Sequence, residues 1–137
     1  MEPEVQRLLD RAAIHDLLMR YARGVDRRDL ALVAACFTPD AAYEGALGHG
    51  TVQDALARLA ERLVVWETTM HVMANQLIEL AGDRAHSETY AIAYHRGRTG
   101  ELVVGVRYLD DLVRRDGGWL ICRRLVALDW QRETPAA

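Results

Sequence analysis

Residues 69–75, Thr-Met-His-Val-Met-Ala-Asn, mark where this chain stops reading as helix and starts reading as strand. Up to Leu63 the apolar residues recur at steps of three and four; from residue 68 onward they alternate. Alternating segments fall at 68–81, 84–96, 101–115 and 118–131, separated by Gly82-Asp83, Gly97–Gly100 and Asp116-Gly-Gly118. Helices followed by a long-stranded meander predict an α+β fold, with three N-terminal helices on one face of a curved β-sheet. A curved sheet of this kind can wrap around a cavity.

The helical part begins with Ile14-His-Asp-Leu-Leu-Met-Arg-Tyr-Ala-Arg-Gly-Val-Asp26, whose apolar positions 14, 17, 18, 21, 22 and 25 make one buried stripe. Leu8, Leu9 and Ala12 extend it backwards, and Pro3 suits its first turn. Gly24 is expected to loosen its end. Asp29 is placed to cap a second helix carrying Leu30, Val33, Ala34 and Phe37 on one face, with Pro39 ending it. Ala41–Glu44 reads as a short strand, and Gly45–Gly50 as a loop. Thr51 and Asp54 have the spacing of a capping box, and Val52, Ala55, Leu56, Leu59 and Leu63 continue a third helix. Glu133 to Ala137 is expected to fray.

The 137 residues are one domain's worth, read as a single domain 1–137, and half of them are apolar. The formal charge is −3 and the pI about 5.9, with no basic stripe, so nucleic acid is not an expected partner. All 17 basic residues are arginine, which excludes Schiff-base chemistry on a lysine. Cys36 and Cys122 cannot make a disulfide framework and are read as reduced thiols of a cytoplasmic protein. The acidic N-terminus lacks the apolar stretch of a signal peptide, and no run has membrane-spanning length, so no membrane partner is expected. There is no G-x-G-x-x-G, no G-K-[ST] after the glycines at 45–50, and no H-x-x-x-H pair. Neither metal nor cofactor is expected.

Two ionisable residues stand where the patterns call for apolar ones. Asp26 closes the first helical stripe, and His71 sits inside the alternating run. A carboxylate within reach of an imidazole fixes its tautomer and makes it a better base. Each also has a structural reading: Asp26 as a helix cap, His71 as a histidine satisfied by a backbone carbonyl. Tyr21 lies five residues before Asp26 on the same face, where its phenol can donate to an oxyanion or can simply pack. Alternation sends Arg123 and Arg124 to opposite sides; the enclosed one needs an acidic partner or an anionic ligand. Period two also groups His71, Met73, Asn75 and Leu77 on one face, and Leu120, Cys122, Arg124, Val126, Leu128 and Trp130 on another. On 84–96 the choice between Thr89/Ala91/Ala93/His95 and Tyr90/Ile92/Tyr94 stays open. Leu17, Leu18, Met73 and Leu77 are further candidates for cavity walls.

The stretch Leu9-Asp-Arg-Ala-Ala-Ile-His-Asp-Leu-Leu-Met-Arg-Tyr-Ala-Arg-Gly-Val-Asp-Arg-Arg-Asp-Leu30, then Phe37-Thr-Pro-Asp-Ala-Ala-Tyr-Glu-Gly45, resembles the SnoaL-like proteins. So do His71-Val-Met-Ala-Asn75 and Arg115-Asp-Gly-Gly-Trp-Leu-Ile-Cys-Arg-Arg124. These proteins belong to the superfamily of ketosteroid isomerase, scytalone dehydratase and nuclear transport factor two. The resemblance spans about residues 5–131 and implies a cone-shaped barrel of a curved mixed β-sheet around a cavity. It also implies a homodimer, or a higher homo-oligomer, formed through the outer face of the sheet. Within the superfamily the chain is most similar to the branch of hexachlorocyclohexane dehydrochlorinase and bile-acid 7α-dehydratase. Asp26 and His71 fall on the Asp–His positions of that branch, and Arg124 on its pocket arginine. Tyr21 falls on the tyrosine of the bile-acid enzyme, where the dehydrochlorinase has lysine. The acidic residue that the bile-acid enzyme carries near Tyr94-His95 is missing. Scytalone dehydratase has a second histidine near there, which makes His95 a candidate.

These observations lead to a cofactor-independent lyase of dehydratase type acting on a small hydrophobic carbonyl compound, steroid or polyketide-like. Asp26, His71, Tyr21 and Arg124 would be its catalytic residues. Asn75, Met73, His95, Leu128 and Trp130 would contact the substrate. An isomerase or polyketide cyclase using the same base is the second reading, and a non-catalytic ligand-binding or dimerisation module the third.

Overall fold

The computed structural model describes all of residues 1–137. The element order is α1 (Pro3–Asp26), α2 (Leu30–Ala35), β1 (Phe37–Gly45), β2 (Gly48–Thr51), α3 (Val52–Leu63), β3 (Thr68–Ala81), β4 (Arg84–Gly97), β5 (Gly100–Arg115) and β6 (Gly118–Pro135). The six strands form one mixed sheet in the order β2-β1-β6-β5-β4-β3. Only β1 and β6 run parallel; the other neighbours are antiparallel.

Local chemistry accounts for the helix starts. Asp29 accepts the Leu32 amide at 3.1 Å and Thr51 the Asp54 amide at 3.2 Å, each satisfying a donor that the first turn leaves free. On α1 the residues Ile14, Leu17, Leu18, Tyr21 and Val25 are buried, and they join Val33, Phe37, Val52, Leu59, Leu112 and Ile121 in one core. Each such side chain contributes about 1.5–3 kcal/mol of burial. Gly24 does more than loosen the end of α1. A Cβ there would lie 2.7 Å from Val33 Cγ2, so the glycine is what lets α2 pack against α1.

Three segments differ from expectation. Phe37 opens β1 instead of closing α2, because it stands opposite Ile121 of β6, whose amide donates to the Cys36 carbonyl at 2.9 Å, and Pro39 sits inside an interruption of that pairing. Gly45–Gly50 is no open loop: Gly45 pairs with Gly48 and a tight hairpin leads into β2. The third helix therefore follows two strands. The expected frayed tail is strand as far as Pro135, paired to Gly100–Leu102.

The largest departure is in phase. A bulge between Met73 and Gln76 shifts β3 by one residue, so Thr69, His71 and Met73 turn inward, then Gln76, Ile78 and Leu80. Asn75 and Leu77 are thereby turned outward, and Leu77 is 70% exposed. On β6 one bulge near Cys122 puts Trp119 and Ile121 on the same side as Arg124 and Val126. A second, near Asp129, sends Trp130 to the outer face, where it covers Gly105. Each inserted residue inverts every side chain beyond it.

Candidate functional site

Asp26 is the last residue of α1 and His71 the fourth of β3. Their side chains meet, with His71 Nδ1 at 2.7 Å from Asp26 Oδ1. The same carboxylate accepts the His71 backbone amide at 2.8 Å and the Thr69 hydroxyl at 3.0 Å. Burial pushes the Asp26 carboxyl up, but these hydrogen bonds from His71 and Thr69 outweigh it and hold the pKa below its ordinary value. An ionised carboxylate on Nδ1 keeps the proton on that nitrogen, so the Nε2 lone pair is left free. The histidine is thus neither a core histidine satisfied by a carbonyl nor a free surface group.

Arg28 secures this arrangement from behind. Its guanidinium donates to the Val25 carbonyl at 3.2 Å, the Thr69 hydroxyl at 2.8 Å and the Trp66 carbonyl at 3.1 Å. It thereby ties the end of α1 to the start of β3. Arg28 also carries φ 59°, a left-handed backbone that non-glycine residues adopt at a cost, and these bonds hold it there.

His71 lines a cavity of about 160 Å³ together with sixteen other residues, fourteen of them hydrophobic. Tyr21, Tyr43 and Tyr108 supply phenols, Trp66 and His95 aromatic rings, and Val104, Val106, Val126 and Leu59 apolar walls. His95 settles the open question on β4: Ala91, Ala93 and His95 face inward, while Tyr90 and Tyr94 are outside. Its ring lies 6.2 Å from that of His71, with Nδ1 3.1 Å from the Leu102 carbonyl oxygen. Burial lowers its pKa below the usual histidine value, against the pull of that carbonyl. Burial raises the pKa of all three phenols, Tyr43 to about 12 and Tyr108 well above its ordinary value. They line the cavity as neutral O–H groups.

Arg124 is where the structure departs most from the expected site. Its guanidinium is fully buried and paired with the equally buried Asp110, at 2.7 Å from Nε to Oδ1 and 2.9 Å from Nη2 to Oδ2. It lies under the rings of Tyr21 and Tyr108, 4.2 and 4.3 Å from their centroids, and does not line the cavity. Burial works against the charge, but Asp110 outweighs it and holds the group protonated. The acidic partner that an enclosed guanidinium needs is present, and direct contact between Arg124 and a ligand is not available. One nitrogen, Nη1, is buried without a hydrogen-bond partner.

Of the expected contact residues, only His95 lines the cavity. Met73 packs against the core, as do Leu17 and Leu18. Asn75 and Trp130 line a shallow groove on the outer face, a consequence of the two bulges. Leu128 pairs opposite Val106 but is 54% exposed and outside the cavity wall. Tyr43, Trp66, Thr69, Tyr108 and Asp110 belong to the site and were not singled out from sequence. Thr69 precedes His71 by two and Asp110 follows Tyr108 by two, so alternation carries a signal for both.

The comparisons with known proteins agree with this architecture. A family model described as a SnoaL-like domain matches residues 6–125. Uncharacterized proteins of Mycobacterium tuberculosis and Mycobacterium bovis are 30% identical over 134 residues, covering 93% of this chain and 91% of theirs. Among solved structures, a putative scytalone dehydratase from Novosphingobium aromaticivorans superposes with TM-score 0.86 at 20% identity, covering 96% of this chain and 91% of that one. A hexachlorocyclohexane dehydrochlorinase from Novosphingobium barchaimii gives 0.82 at 22%, covering 98% and 94%. At these identities the superpositions establish the fold.

Proposed function

We propose the following for this chain, which belongs to the SnoaL-like family: it is a cofactor-independent lyase that eliminates water from a small hydrophobic β-hydroxy carbonyl compound. The observation that carries the reading is the 2.7 Å contact between Asp26 and His71 at the wall of an apolar cavity lined by three neutral phenols. His71 Nε2 removes the proton α to the carbonyl. The electron pair of that C–H bond forms the carbon–carbon double bond as the β C–O bond breaks. The leaving hydroxide takes the same proton from the imidazolium and departs as water. Asp26 stabilises the imidazolium, and the phenols donate to the developing enolate oxygen. A positioned base contributes ~10²–10⁴-fold, so the C–H must already be acidified by its carbonyl. Arg124 acts without touching substrate: its charge beneath Tyr21 and Tyr108 makes their O–H groups stronger donors.

The outer face of the sheet supports a homodimer, since Met70, Val72, Leu77, Tyr90 and Tyr94 are exposed there and a second copy would cover them. No helix is long and apolar enough to cross a membrane.

The test uses 4-hydroxy-2-tetralone, whose dehydration gives 2-naphthol, in deuterated water. The wild type should form naphthol, and His71→Ala should not. Deuterium incorporation beside the carbonyl without water loss would replace elimination by isomerase or cyclase chemistry. No incorporation and no product would leave a binding module.

A further inference from the structure

We infer that the ligand of this cavity has two parts, a flat reacting head in the cavity and a neutral or cationic, hydrogen-bonding tail that passes Trp66 and lies along the C-terminal end of β6. The inference rests on the proposed function for the head and adds the tail. Trp66 and Leu102 line not only the cavity but also an adjoining groove of about 490 Å³. The cavity is the smaller of the two, at about 160 Å³, so a ligand longer than a bicyclic head must continue somewhere. These two side chains are the shared wall, and the groove is the space directly behind it.

Trp66 is built into this position. Its carbonyl is held by Arg28, and its ring lies 5.3 Å from the ring of His95. Gly97 makes room for it, since a Cβ there would come within 3.1 Å of the indole Cε3. The far side of the groove is Glu133-Thr-Pro135, held in place by pairing with Gly100–Leu102. The C-terminal extension of β6 therefore has a surface to present.

The chemistry of that surface selects the tail. In a chain with 17 arginines, none lines the groove, whereas Glu101 and Glu133 both do. Arg96 pairs with Glu101 at 2.8 Å, and Glu133 makes no ion pair. Thr99 and Thr134 add hydroxyl groups. Among the lining residues a carboxylate or phosphate tail meets acidic and neutral groups alone, with Arg96 already paired to Glu101, while an amine or hydroxyl tail finds acceptors, the unpaired Glu133 first among them.

Calorimetric titration with three probes tests this: 2-naphthol, 6-(2-aminoethoxy)-2-naphthol and 6-(carboxymethoxy)-2-naphthol. The amine should bind roughly two- to fivefold more tightly than 2-naphthol, the size of an exposed charge interaction, and the carboxylate more weakly than 2-naphthol. Glu101→Gln with Glu133→Gln should bring the two tailed probes to within about twofold of each other, with 2-naphthol unchanged. Removal of residues 133–137 should abolish the gain from the amine tail and spare 2-naphthol. Weaker binding of both tailed probes than of 2-naphthol, or equal binding of amine and carboxylate, would overturn the inference and leave the head site standing. Failure of 2-naphthol itself to bind would overturn the cavity reading, and the tail with it.

Discussion

Helix α1 carries a buried carboxylate, Asp10, and a half-buried one, Asp26, and the two are wired differently. Asp10 accepts both Arg114 nitrogens at 2.8 and 2.9 Å, the Trp119 indole at 3.1 Å and the Gln6 amide at 3.1 Å. Arg114 in turn bonds Asp83 and stacks on Trp119. The groups that engage Asp10 line no part of the cavity, so the cluster fastens α1 to the end of β5 and the start of β6. Asp26 takes three hydrogen bonds to the four of Asp10, but one comes from the imidazole of His71, which lines the cavity. A fully hydrogen-bonded carboxylate is common to both; an imidazole partner beside empty space distinguishes the site from the clamp.

Substitution should separate the two carboxylates' roles most sharply. His71→Ala should lower turnover by about 10²–10⁴-fold while the melting temperature holds, since the side chain borders existing empty space. Asp10→Asn should do the reverse, costing about 1–3 kcal/mol of stability with turnover changed less than a few-fold. Turnover and thermal melts of both proteins decide it. If Asp10→Asn damaged catalysis as much as stability, the two ends of α1 would be coupled.

Next in size is the ion pair under the phenols. Arg124→Met alone should destabilise by about 3–5 kcal/mol, because Asp110 is left charged and unpaired. Arg124→Met with Asp110→Leu should recover most of that loss, and turnover should stay reduced because the phenols have lost their cation. A double variant with wild-type turnover would make the pair purely structural.

A smaller effect concerns pH. Arg114 above all, with Trp119 and Gln6, holds the Asp10 pKa at about 2, below the ordinary 3.8. The folded value lies below the unfolded one, so the contribution is complete above pH 3.8 and is lost as pH falls towards 2. Asp10→Asn should therefore flatten the stability profile in that window, measured by urea melts at successive pH values. Smallest of all, Asn75→Ala should change turnover by less than about twofold, as expected of a residue outside the cavity. A larger loss would bring the outer groove into the site.

Much of this was legible in the chain because its causes are local. Apolar steps of three and four gave α1 and α3, alternation gave the four long strands, and Asp29 and Thr51 marked their helix starts. Asp26 and His71 stood out because each interrupts a local period. What lay beyond sequence depends on contacts between distant segments. Asp10 meets Arg114 across 104 positions, and nothing around Asp10 signals it. The bulges at Met73–Gln76 and on β6 arise from pairing with neighbouring strands, and a strict count of two carried past them put Asn75 and Trp130 on the wrong face. Period and capping are written within one turn or one strand. Phase after a bulge, the partner of a buried charge and the wall of a cavity are set only when strands meet, because an inserted residue costs nothing until a neighbour must pair around it.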